Sequence, residues 1–167
     1  MSVNEVLGHL TALGADYETI DCDPGLADTA DFCAAYGFRL EESANAILIA
    51  SKRPPGQFGL CLALASTRLD VNRAVRDAMA VKKLSFASPE QTIEATGMMI
   101  GGVTPFGISA DVPVYVDEAV MNVKRVIVGG GSRSLKLRVD PEVFRRMPNT
   151  HIVAGLAAPI GPSAQSI

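Results

Sequence analysis

Apolar positions along this chain follow two periods, and the change from one to the other divides it into short helices and short strands. Val3, Val6, Leu7, Leu10 and Leu13 lie at the spacing of one helix face, with Asn4 available as a cap and Gly14 as a stop. Tyr17 to Cys22 alternates weakly and reads as a strand. A second helix is expected from Asp28 to Tyr36, capped by Asp28 or Thr29 and stopped by Gly37. Ala44 to Ala50 and Phe58 to Ser66 are apolar runs of strand length. The turn Lys52-Arg53-Pro54-Pro55-Gly56 between them predicts a hairpin of buried strands. Asp70 to Met79 has Val71, Ala74, Val75 and Ala78 on one side and predicts a helix. Ser88-Pro89 opens another to Ala95, with serine as cap and proline in the first turn.

The second half is richer in strands. Val112 to Val116, Lys124 to Val128 and Leu135 to Val139 are each expected to be one. Asp140-Pro141-Glu142 starts a last short helix to Met147, and Ile152 to Leu156 is a short apolar segment. The pattern predicts a single α+β domain over residues 1–157, built on a mixed, curved, largely antiparallel, barrel-like sheet flanked by helices. Residues 158–167, with Gly, Pro, Ser and Gln, are expected to form a flexible tail.

Composition narrows the function more than the fold. With 48% hydrophobic and 20% charged residues over 167 positions, the chain has the makings of one globular core. A formal net charge of −3 argues against a general nucleic-acid binder, while leaving room for a local basic patch. Cys22, Cys33 and Cys61 form no Cys-x-x-Cys pair, and His9 and His151 stand near opposite ends. Neither a disulfide framework nor a Cys/His metal site is signalled. The start carries no signal-peptide pattern, and no apolar run approaches the roughly 20 residues of a membrane helix. A soluble, cytoplasmic protein is the expectation.

The familiar catalytic motifs are missing: there is no Gly-x-Ser-x-Gly elbow, His-Glu-x-x-His, Walker loop or Gly-x-Gly-x-x-Gly after a strand. What the chain does offer is Gly97 to Gly107, where paired glycines, a Thr-Pro and a further glycine follow an apolar run. Such a segment can present backbone amides to a ligand, and it can equally be a tight turn between buried strands. Other candidates carry similar pairs of readings. Asn45 is a lone amide in an apolar strand, either a ligand contact or a side chain bonded to a neighbouring turn. Asp117 closes Val-Tyr-Val-Asp and can cap the strand end, while Thr29 can serve simply as a helix cap. Gly129-Gly130-Gly131 suits a hairpin turn. Arg68, Arg73, Arg76, Lys82 and Lys83 are either a solvated helix face or a phosphate grip.

Taken together, these residues resemble a known family. Thr29-Ala30 opening a helix, the strand at Asn45, Arg68-Leu69-Asp70, the Gly97–Gly107 stretch, Pro113-Val114-Tyr115-Val116-Asp117 and Gly129-Gly130 match the YbaK-type aminoacyl-tRNA deacylases. That superfamily includes the editing domain inserted in bacterial prolyl-tRNA synthetases. The resemblance runs from about Val3 to Leu156 and implies a free-standing domain that hydrolyses the ester of a mischarged tRNA in trans. It also implies a pocket sized for a small amino acid, with no metal and no cofactor. Gly101, Gly102, Val103, Thr104, Pro105 and Gly107 would line it, with Thr29, Asp117, Gly129 and Gly130 beside the substrate. Gly101 and Gly102 would polarise the ester carbonyl for attack by water. The implied partners are the aminoacylated acceptor end of tRNA, gripped by Arg68, Arg73, Arg76, Lys82 and Lys83, and an aminoacyl-tRNA synthetase.

The chain departs from the family pattern at one telling place. A lysine that family members use for activity aligns with Asn45, which offers hydrogen bonds but no net charge. Lys52 is a poor substitute, since seven strand residues separate it from Asn45 by roughly 23 Å. Val128 and Ile108 likewise replace residues that are commonly polar or small. Two expectations follow: a deacylase in which Asn45 works within the site, or a relative that binds aminoacyl-tRNA, a small ligand or a protein without hydrolysis.

Overall fold

A computed structural model describes residues 2–160 of the chain. The first helix, α1 (Val3–Ala12), is capped by Ser2 rather than Asn4. Ser2 Oγ accepts from the Glu5 amide and Glu5 returns a bond to the Ser2 amide, both at 3.2 Å. This reciprocal arrangement satisfies two end donors at once. Gly14, at φ 66°, then turns the chain into β1 (Tyr17–Asp21). A 3₁₀ turn, Pro24–Leu26, precedes α2 (Thr29–Tyr36), which ends at Gly37 in the left-handed conformation.

The predicted hairpin is present and longer than its apolar runs: β2 (Ala44–Arg53) pairs with β3 (Pro55–Leu64), setting Asn45 opposite Ala63. Leu48, Leu60 and Leu62 face the main core, whereas Ile49, Cys61 and Ala63 face a second cluster. Burial on both faces explains why these strands read as continuous apolar runs and not as alternation.

The helix expected over Asp70 to Met79 is replaced by a more broken path. After β4 (Thr67–Leu69), a π-helical turn over Val71–Val75 leads into the single-turn α3 (Arg76–Met79). β5 (Lys83–Phe86) then pairs with β2, and α4 (Pro89–Thr96) begins at Ser88 with a Ser88–Gln91 capping box. The five basic residues therefore do not share one helix face, because Arg68 lies on β4 and Lys83 on β5.

β6 (Val114–Asp117), β7 (Val126–Gly129), β8 (Leu135–Val139), β9 (Thr150–Val153) and β10 (Ala157–Pro159) complete the strands. A five-stranded sheet runs β5-β2-β3-β6-β9, with β6 parallel to both of its neighbours. An antiparallel sheet runs β1-β8-β7, and β10 pairs with β4. The domain is α+β with mixed, largely antiparallel strands, as expected; the described strands form separate sheets and close no barrel. One parallel bridge, Ser43 to Ile127, brings the start of β2 beside β7.

The C-terminal expectation needs correction. Ala158 and Pro159 pair with Arg68 and Thr67, and the Ile160 amide donates to Ser66 at 3.0 Å. Backbone hydrogen bonds hold the first part of the presumed tail; residues 161–167 lie outside the described residues. No described helix is long and apolar enough to cross a membrane. The three cysteines are buried free thiols, and burial pushes Cys61 up to about 12.

Candidate functional site

The bridge between β2 and β7 leaves a cavity of about 310 Å³ where four parts of the chain converge. The start of α2 contributes Asp28, Thr29 and Ala30, and the start of β2 contributes Ala44 to Ile47. The glycine stretch supplies Ile100, Gly101 and Val103, while Gly129 and Lys136 enter from β7 and β8. Most of these side chains are small or absent, so backbone forms much of the wall.

Glycine lets the 99–104 loop lie directly on the β7–β8 hairpin. A Cβ on Gly129 would stand 2.2 Å from the Val103 carbonyl oxygen, and one on Gly102 would stand 2.6 Å from the Ser132 carbonyl carbon. Gly101 is held at φ 91°, with the Arg133 guanidinium against it. Arg133 Nη1 donates to the Ile100 carbonyl at 2.7 Å and to Asp28 Oδ1 at 3.1 Å. Lys136 Nζ donates to the Gly101 carbonyl at 2.9 Å and to the Ala27 carbonyl at 2.6 Å. Two cations from one hairpin thus pin the glycine loop to the start of α2.

Asn45 enters the cavity from β2, and the Thr29 hydroxyl donates to its Oδ1. Asp28 occupies the cap position of α2 but makes no side-chain cap bond, since its carboxylate pairs with Arg133. Lys136 is buried, with Nζ 5.5 Å from the centre of the Phe32 ring. Burial lowers its affinity for a proton below that of an ordinary lysine, an effect opposed by Cys22, Asp28 and Cys33 and reinforced by Arg133.

The structure brings together part of the site expected from the sequence. Thr29, Asn45, Gly101, Val103 and Gly129 line the cavity. Gly102 supports it from behind, but its amide already donates to the Met99 carbonyl at 2.9 Å. That N–H is therefore engaged within a turn instead of facing an ester. Gly130 belongs to the hairpin, its amide bonded to the Leu135 carbonyl at 3.1 Å. Thr104 is fully buried, and its hydroxyl has no partner among the described residues.

Pro105 and Gly107 line a different, more apolar crevice of about 140 Å³ with His9, Phe106 and Ile108. Asp117 lines neither cavity. It is buried at the end of β6, accepts from the Ala157 amide at 3.4 Å, and is held above the usual carboxyl range by burial against several backbone hydrogen bonds.

The basic residues also separate. Arg68 lines a groove that shares Asn45 and Ile47 with the main cavity, beside the exposed Phe86. Arg73 pairs with Asp70 at 3.6 Å. Lys83 is in register with Arg53, at the far end of β2, eight residues and roughly 26 Å from Asn45. Lys82 joins the same end through its amide bond to the Arg53 carbonyl, and Arg76 begins α3 outside the cavity lining.

Lys136 and Arg133 were not foreseen. Leu135-Lys136-Leu137-Arg138-Val139 alternates like a strand with one wet face, and nothing local shows that α2 covers that face. Among the described residues, no group of three or more His, Cys, Asp or Glu side chains could hold a metal ion.

Comparison with known proteins agrees with this architecture. The sequence model of the aminoacyl-tRNA editing domain matches residues 23–147. The uncharacterized protein YwhH of Bacillus subtilis (strain 168) is 28% identical over 143 residues, covering 85% of this chain and 88% of that protein. A crystal structure of a candidate trans-editing enzyme for prolyl tRNA synthetase superposes with a TM-score of 0.76 at 21% identity, covering 92% of this chain and 97% of its own. The hypothetical protein APE2540 gives a TM-score of 0.81 at 19% identity, with coverage of 92% and 99%. At such identities the two structures establish a shared fold.

Proposed function

The chain belongs to the aminoacyl-tRNA editing domain family, and we propose that it is a cytoplasmic deacylase acting in trans on mischarged tRNA. The observation that carries this reading is the cavity joining Thr29, Asn45, Gly101, Gly129 and Lys136. Its volume of about 310 Å³ is near the lower end for small-ligand sites, which suits a small aminoacyl group. Ala30, Ala44 and Ala46 leave room on that wall for a small acyl side chain.

Water adds to the ester carbonyl, and the bond to the terminal ribose oxygen breaks. The Asn45 amide holds the ester, and the glycine loop sets the depth of the pocket. Arg68 and Phe86 border the adjoining groove, where the terminal nucleotide of the acceptor end would lie. The more distant basic residues Arg73, Arg76, Lys82 and Lys83 would meet the tRNA only beyond that nucleotide.

The test is hydrolysis of a panel of tRNAs charged with small non-cognate amino acids. Turnover above the spontaneous rate on at least one is expected, and none would end this reading. The engaged Gly102 amide favours a second reading, a relative that binds aminoacyl-tRNA without cleaving it. Saturable binding with the ester left intact would identify that case.

A further inference from the structure

We propose that Lys136 is a catalytic residue of this cavity, its ammonium stabilising the negative oxygen that forms when water adds to the ester. The assignment rests on the deacylase reading and specifies its charged group. Lys136 is only 5% exposed, and its side chain reaches the cavity wall from β8. A buried ammonium is costly unless a counter-charge or a ligand repays the lost hydration.

Among the described residues, Lys136 forms no ion pair. Asp28, on the same cavity wall, is instead paired with Arg133 at 3.1 Å. The Lys136 ammonium donates to the two neutral carbonyls of Ala27 and Gly101. An ammonium has three donors, so one remains for a further acceptor. The clamp on two carbonyls and the Phe32 ring 5.5 Å away account for the position of Lys136, yet among the described residues no anion is paired with its charge beside the small cavity.

The reaction supplies the missing anion. The oxygen of water bonds to the ester carbon, the carbonyl oxygen becomes negative, and Lys136 donates a hydrogen bond to it while keeping its proton. Collapse breaks the bond to the ribose oxygen, which receives the proton released by the attacking water through solvent. The products are the free amino acid and the tRNA hydroxyl. Asn45 lies on the same cavity as a neutral donor, so the charge enters from β8 and not from β2.

Protonated Lys136 is the active form. The groups influencing it are Asp28 and Cys33 on α2, Cys22 after β1, and Arg133 in the β7–β8 turn. Burial outweighs the favourable ones and lowers its pKa from 10.5, so the enzymatic rate should fall on the alkaline side below that value.

The experiment compares the wild-type chain, Lys136→Met and Asn45→Lys/Lys136→Met on a mischarged tRNA that the wild type hydrolyses. Lys136→Met should lower kcat about a hundredfold with KM little changed. Binding of a non-hydrolysable, amide-linked aminoacyl minihelix should persist in that variant. The double variant should recover at least tenfold over Lys136→Met, because it returns a cation to the same cavity from β2.

Hydrolysis by Lys136→Met within about threefold of wild type overturns the assignment alone. A wild-type rate, corrected for spontaneous hydrolysis, that does not decline up to pH 10.5 also overturns it, without reliance on a variant that folds. If the wild type hydrolyses no mischarged tRNA, the deacylase reading falls and this assignment falls with it.

Discussion

The hydroxyl of Thr29, at the start of α2, donates its hydrogen to the side-chain oxygen of Asn45 at the start of β2. The bond fixes which way the Asn45 amide faces. Its nitrogen has no acceptor among the described residues, so both of its hydrogens remain for a ligand. In the proposed deacylase, Thr29 would act on the substrate through Asn45.

Thr29→Val keeps the shape of the side chain and removes the donor. A lost neutral hydrogen bond is worth about 1 kcal/mol, so kcat/KM on a mischarged tRNA should fall roughly five- to tenfold. Thr29→Ser should restore most of it. Activity retained in Thr29→Val but lost in Thr29→Ser would show that the methyl group, and not the hydroxyl, matters.

Gly129→Ala tests the contact between the glycine loop and β7. The added Cβ would meet the Val103 carbonyl oxygen at 2.2 Å, with backbone on both sides of the clash. Forced displacement in a packed region costs about 1–3 kcal/mol, which should appear as a lower denaturation midpoint together with lost activity. Gly56→Ala is the control, since its Cβ would meet nothing within 4 Å although φ is 87°. It should cost only about 1–2 kcal/mol and leave the site unaffected.

Asp117 gives a prediction in pH. Burial raises its pKa above 3.8, so the folded state binds the proton more tightly than the unfolded chain does. The stability associated with this group is therefore fully present below 3.8 and is lost as pH rises through the higher folded value. Asp117→Asn keeps an oxygen for the Ala157 amide and carries no charge. Its stability relative to wild type should improve between acid and neutral denaturation experiments. A difference independent of pH would contradict the stated cause.

Arg68 and the remaining basic residues should separate in binding measurements. Arg68→Ala removes a cation from the groove adjoining Asn45 and should raise KM for charged tRNA and for a short acceptor-stem mimic alike. Joint neutralisation of Lys82 and Lys83 should weaken binding of full-length tRNA while sparing the mimic. Both effects should shrink as salt rises. Unchanged binding by the Arg68 variant would remove the groove from the nucleic-acid path.

Local order was legible in the sequence wherever neighbours in the chain decide it. Gly37 ends α2, Ser88 caps α4, and Pro54 separates β2 from β3 within the expected turn, because caps, stops and turns act over three or four residues. The glycine stretch stood out in the sequence, and its Gly101 lines one cavity with Thr29, Asn45 and Gly129.

Tertiary contacts decided the rest. Asp117 and Pro105 looked like substrate contacts from the sequence, yet a capping network and a separate crevice claim them. Lys136 carried no signal in the sequence; α2 covers it, with Phe32 beside the ammonium and Asp28 drawn to Arg133. Sequence alone determined where the chain could turn and which residues could form the core. Whether a particular lysine meets water or a cavity depends on which distant segment covers it, and α2 lies about a hundred residues from Lys136, a separation that no local pattern encodes.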